Sequence, residues 1–127
     1  MEYLSDTHTA LWFADSPEKL PRWCLTGIGD SPELFQTSMV TYWEVAIKHG
    51  LGRLPHLKGL CNFYAMLERA FGLPLPLSKL HFYTLQALPH HHKDPFDRLL
   101  IAQAIAEGMT LVSDDSYMPA YPVTMRW

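Results

Sequence analysis

Only two of the 127 residues are cysteines, Cys24 and Cys61, and they form no C-x-x-C pair. That excludes a disulfide framework and a zinc ribbon, which need clustered thiols. An excess of positive charge is also missing: 10 Lys and Arg stand against 13 Asp and Glu, a net charge of −3. A purely charge-driven nucleic-acid binder is therefore disfavoured, although an enzyme that touches a polyanion locally is not. No uninterrupted apolar run is long enough to cross a bilayer, so no membrane association is expected. Glu2 and Asp6 stand where a secretory signal would carry Lys or Arg. Repeats, low-complexity tracts and linkers are absent. A reduced, cytoplasmic setting is the expectation.

What the chain does have is apolar material, with 48% of residues hydrophobic and 13% aromatic. This is enough for one core, and the length is too short for two ordinary domains, so one domain over residues 1–127 is expected. Pattern and breakers then divide it. "EYLS" reads as a short strand, followed by a helix through Leu11 to Ala14 and another from Pro17. "LFQTSM" (34–39) reads as a second strand, and "YWEVAIKHG" as a helix stopped by Gly50 and Gly52. Residues 57–72, 78–88 and 95–107 have helical character, whereas "LPLPL" (73–77) is a poor strand suited only to a sheet edge. "TLVS" (110–113) and "PVTMRW" read as the last strands. Residues 22–33 are rich in breakers and receive no assignment. Strands alternating with helices imply an α/β fold, a mostly parallel central sheet with helices on both faces.

Acids recur where helices begin. In "KDPFDRLLIAQA", Asp94 fits an N-cap, Pro95 the first helical position and Asp97 the third. Counting from Asp97 by helical steps gives Leu100, Ile101, Ala104 and Ile105, so this acid heads the core-facing stripe. "TYWE" fits a capping box with Thr41 as the cap and Glu44 reaching back to it. Asp6 follows the first strand, and Asp114 and Asp115 follow "TLVS"; each alone reads as a turn or cap residue. Together they say more. The carboxyl ends of parallel strands share one rim, where ligands bind. Asp6, Glu44, Asp97 and Asp115 converging there would repel one another and need a cation. All-oxygen ligation selects a hard ion, Mg²⁺ or Mn²⁺, which suits phosphodiester chemistry.

Other residues carry weaker signals. His90, His91 and His92 suggest zinc, but adjacent histidines point in different directions and no second Cys/His cluster completes a tetrahedron, so they read as loop residues. Trp12, Trp43, Phe63 and Tyr64 lie on helical faces and read as core or interface rather than base-stacking platforms.

The blocks "YLSDTHTALW", "TSMVTYWEVAIKHGLGRL", "HHKDPFDRLLIAQAIAEGMTLVSDD" and "VTMRW" resemble PIN-domain proteins, specifically the VapC-type toxins of toxin–antitoxin pairs. The resemblance runs over nearly the whole chain. It implies a three-layer PIN-like fold and a Mg²⁺- or Mn²⁺-dependent ribonuclease that leaves a 3′-hydroxyl and a 5′-phosphate. A cognate antitoxin inserting a segment near the acids, and a homodimer, are implied with it. Carried over by motif, the acids are Asp6, Glu44, Asp97 and Asp115, with Asp6 and Asp97 the direct ligands and Asp94 a cap or outer-shell residue. Asp114 competes with Asp115 for the fourth place. Thr7 and Ser113 are candidates to orient a carboxylate or a water, and Lys48, Arg53, Lys93 and Arg98 to meet the RNA backbone. Arg98 also has a partner's carboxylate as an alternative. The sequence departs from the family at Ser5, where an apolar residue usually precedes the first aspartate, and across residues 22–33. Two other readings compete: a PIN-like binding module acting only through an antitoxin or operator complex, and a receiver-type phosphoryl-transfer domain. The latter lacks its late-strand lysine, since "TLVSDD" and "PVTMRW" contain none.

Overall fold

Strand-forming residues between turn signals build a four-stranded sheet in the computed structural model, which describes residues 2–127. The strands are β1 (Tyr3–Ser5), β2 (Phe35–Gln36), β3 (Thr110–Val112) and β4 (Met125–Arg126). All three pairings are parallel, in the order β2-β1-β3-β4, with Leu4 opposite Leu111 and Ser5 opposite Val112. Six helices surround it: α1 (Thr7–Asp15), α2 (Arg22–Asp30), α3 (Met39–Gly50), α4 (Leu60–Phe71), α5 (Lys79–Ala87) and α6 (Pro95–Glu107).

Because strand side chains alternate between faces, one strand feeds two cores. Leu4 and Leu111 pack with Leu100, Ile101 and Ala104 of α6 on one face. Phe35 and Val112 pack with Ala10, Cys24, Val45, Phe63 and Leu67 of α1 to α4 on the other. This is the expected three-layer α/β fold with a parallel sheet and helices on both faces. No helix among the described residues is long and apolar enough to cross a membrane.

Several local expectations need correction. The second strand ends at Gln36, and α3 begins at Met39 with Ser38 as its N-cap, whose side chain accepts from Val40 N–H. Thr41 therefore lies inside the helix, and Glu44 is no capping-box residue. The expectation for "LPLPL", by contrast, holds: its prolines leave a single bridge, Leu75 beside Ser38, at the β2 edge of the sheet. The unassigned stretch 22–33 contains α2. Finally, α6 follows α5 through a loop rather than a strand, so Asp97 reaches the rim from a helix that no strand precedes.

Candidate functional site

Asp6 and Asp94 are held by local backbone chemistry. Asp6 leaves β1 and caps α1, its Oδ1 accepting from Thr9 N–H at 2.8 Å. Asp94 caps α6 as expected, accepting from Phe96 N–H at 2.8 Å and Asp97 N–H at 3.2 Å, with Pro95 at the first position. Neither cap is only a cap. Asp6 is 3% exposed, and burial raises its pKa against hydrogen bonds from Ser113 and Thr9 that lower it.

Glu44 sits one turn into α3, 2% exposed, where it accepts from Thr7 Oγ1 at 2.7 Å and pairs with Lys48. Thr7 also contacts Thr41 Oγ1 at 3.1 Å. The hydroxyl proposed as an orienter thus holds a carboxylate.

Asp97 reports on the whole arrangement. Burial first, then the negative charges of Asp94 and Glu44, push its carboxyl up to about 7; His92 opposes the shift and Asp6 adds to it. Like charges raise one another's pKa only at close range. Asp94, Glu44 and Asp6 thus lie near enough to Asp97 to act on its charge, while the acid whose oxygen comes within 4.8 Å of an Asp97 oxygen, beside His92, is Asp115. Asp115 comes from the loop after β3. Its burial raises the pKa, but hydrogen bonds from His92 and from Tyr117 N–H outweigh this, and the net shift is downward.

The chain's PIN-type pattern is detectable on its own: the sequence pattern of the PIN domain family matches residues 3–123. The chain belongs to the PIN domain family. Its fold is similar to that of a chain in the crystal structure of VapBC2 from Rickettsia felis bound to a DNA fragment from their promoter. The TM-score is 0.75, with 100% of this chain and 99% of that chain covered, at 14% identity. No curated protein matches by sequence.

In this PIN domain the doubled aspartates separate clearly. Asp114 is exposed, whereas Asp115 is half-buried and turned toward Asp97. Ser113 is buried and accepts from Asp115 N–H at 3.1 Å. The candidate cations differ among themselves. Lys48 is engaged with Glu44, and Arg98 Nη2 donates to the Leu88 carbonyl at 3.2 Å. Lys93 is exposed beside Asp94 at a cavity of about 300 Å³. Arg53 lines a larger cavity of about 500 Å³ together with His8, Trp12 and Lys19. Among the four aromatics, Phe63 is buried, Tyr64 stacks on Tyr42 at 4.3 Å, Trp12 lies 5.7 Å from Trp127, and Trp43 is exposed.

Sequence reasoning missed His92. It lies in a loop, as expected, but its Nε2 is 3.2 Å from Asp97 Oδ2 and 3.1 Å from Asp115 Oδ2. The available signal was its position two residues ahead of the α6 cap.

Proposed function

We propose that this chain is a divalent-metal-dependent endoribonuclease, the toxin of a toxin–antitoxin pair. The observation that carries the reading is a set of buried and half-buried carboxylates: Asp6 and Glu44 are almost fully buried, and Asp97 and Asp115 bring oxygens within 4.8 Å of one another, with burial and neighbouring acids raising the Asp97 pKa. Such a cluster is costly unless a cation occupies it. The donor set fits a hard ion, because Asp6, Glu44, Asp97 and Asp115 offer only oxygens. Asp6 and Asp97 would hold the ion directly, with Glu44 and Asp115 acting through water or on a second ion. Mg²⁺, or Mn²⁺ in its place, supplies a water of lowered pKa and neutralises phosphate charge.

The chain's own groups do the rest. Thr7 and Lys48 hold Glu44, Ser113 supports Asp6, and the Asp94 cap fixes the first turn of α6 beneath Asp97. Water adds to the phosphorus and the bond to the ribose 3′-oxygen breaks, leaving a 3′-hydroxyl and a 5′-phosphate. Of the four candidate cations, Arg53 and Lys93 are the exposed ones, open to an RNA backbone.

The antitoxin partner is supported by the similar chain's occurrence in a VapBC2 complex. A homodimer is supported by Met39, Trp43, Ile47 and Leu51, large apolar residues exposed at four-residue spacing along α3 and into its C-cap. We place the protein, a single PIN-like domain, in the cytoplasm, consistent with two unpaired cysteines.

The test is cleavage of a structured RNA pool by antitoxin-free protein with Mg²⁺, with Mn²⁺ and with EDTA, beside Asp6→Asn and Asp97→Asn. Divalent-dependent cleavage lost in both variants supports the nuclease. Cleavage identical in all samples, with no Mn²⁺-dependent change in Tm, would leave a PIN-like binding module instead.

A further inference from the structure

His92 touches two of the acids, and its other ring nitrogen decides how. The backbone N–H of Asp94 donates to His92 Nδ1 at 3.1 Å, so Nδ1 carries a lone pair and no proton. In the neutral ring the proton then sits on Nε2. Nε2 faces Asp115 Oδ2 at 3.1 Å and Asp97 Oδ2 at 3.2 Å, both acceptors when ionised. A ring in this tautomer has no free lone pair for an ion: one nitrogen accepts from the backbone and the other donates. A His and two aspartates within 4.8 Å of one another look like a three-ligand set, but the hydrogen-bond pattern makes the histidine a donor.

The support behind the ring is equally specific. The Tyr121 hydroxyl accepts from both His91 N–H at 2.9 Å and His92 N–H at 2.8 Å, and Tyr121 itself is 3% exposed within the core. The loop bearing His92 is thus fixed at its backbone by Tyr121 and at its ring by the Asp94 amide. Asp115 is fixed on its far oxygen, Oδ1 accepting from Tyr117 N–H at 2.8 Å.

We propose that His92 is a positioning residue: its Nε2–H bridges the Asp97 and Asp115 carboxylates and orients them for a divalent ion, without itself binding the ion. This rests on the nuclease reading for the presence of an ion, and concerns how the chain shapes the site for it. Outer groups that orient metal-binding carboxylates typically contribute ten- to a hundred-fold in affinity.

The experiment is Mn²⁺ affinity by titration calorimetry, in antitoxin-free protein, for wild type, His92→Ala, His92→Gln and His92→Glu. Circular dichroism and Tm verify that each is folded. Alanine should weaken binding about ten- to a hundred-fold. Glutamine, whose side-chain amide can donate from near the Nε2 position, should recover most of the loss. Glutamate, a good oxygen ligand with no donor, should be no better than alanine. Long-range ¹H–¹⁵N spectra of the metal-free wild type, recorded with the ring neutral, should show His92 protonated on Nε2. Recovery by glutamate but not glutamine, unchanged affinity in His92→Ala, or a proton on Nδ1 would each overturn the positioning role while leaving the nuclease reading intact. Absence of Mn²⁺ binding in wild type would remove both.

Discussion

Thr7 Oγ1 donates to Glu44 Oε1 at 2.7 Å across 37 positions of sequence, tying the first residue of α1 to the second turn of α3. The bond joins two elements on one side of the acid site, and both groups are buried. Thr7→Val keeps the shape and removes the donor, leaving the Glu44 carboxylate short of a partner. A loss of about 1–3 kcal/mol is expected, read as a lower urea midpoint at unchanged slope. Thr7→Ser should stay near wild type. A valine variant as stable as the parent would show that Lys48 alone satisfies Glu44.

Asp97 makes stability and function oppose each other. Its folded pKa of about 7 lies above the ordinary value of 3.8, so the folded state holds the proton more tightly than the unfolded chain. Stability from this group is full below about pH 4 and is lost as pH rises through 7. In EDTA, Asp97→Asn should therefore match wild type near pH 4 and exceed it above pH 7, by on the order of 2 kcal/mol. The same variant should lose the Mn²⁺-dependent rise in Tm. A variant less stable than wild type at pH 8 would contradict the repulsion argument.

Local chemistry was legible where residues act on their own backbone. Residue preference alone places Asp94, Pro95 and Asp97 at their helix positions, and the apolar stripe behind Asp97 puts it at the core edge. Tertiary choices were not legible in this way. Ser38 and Thr41 are both good N-caps; Ser38 takes the role where it also meets the buried Gln103 side chain. Of the two glycines that obscure α2, Gly27 has a packing reason, since a Cβ there would lie 2.8 Å from the Phe35 ring, whereas one on Gly29 would meet nothing within 4 Å. Among three adjacent histidines, only the fold selects the one whose ring meets the Asp94 amide. Parallel topology accounts for Asp6 and Asp115, which follow β1 and β3, but not for Asp97, whose helix no strand precedes.

The apolar residues along α3 give a separate expectation. Ile47 is 40% exposed, so replacing it with Glu costs the monomer little, within about 0.5 kcal/mol. If α3 packs against a second copy, Ile47→Glu buries a charge there and should convert a dimer to a monomer by light scattering at micromolar concentration. A wild-type monomer, or a variant that stays dimeric, would remove α3 from the interface.

The adjacent aspartates supply the sharpest contrast, because they share charge, size and backbone and differ in direction. Asp115 lies between its bonds to His92 and Tyr117 N–H, which hold its pKa below the ordinary value and keep it ionised at neutral pH. Asp114 is exposed. Asp114→Asn should therefore change Mn²⁺ affinity and cleavage by no more than about two- to three-fold, the scale of a solvent-facing substitution. Asp115→Asn keeps the acceptor oxygen on one side but removes the negative charge opposite Asp97, and should weaken Mn²⁺ binding and slow cleavage by at least about ten-fold. It should also lower the Asp97 pKa only slightly, since Asp94, Glu44 and Asp6 supply the charges that raise it. The two variants assayed side by side for Mn²⁺ affinity and single-turnover cleavage distinguish the positions. Equal losses in both would mean that the loop after β3 rearranges when the ion or the RNA binds, bringing Asp114 into the site.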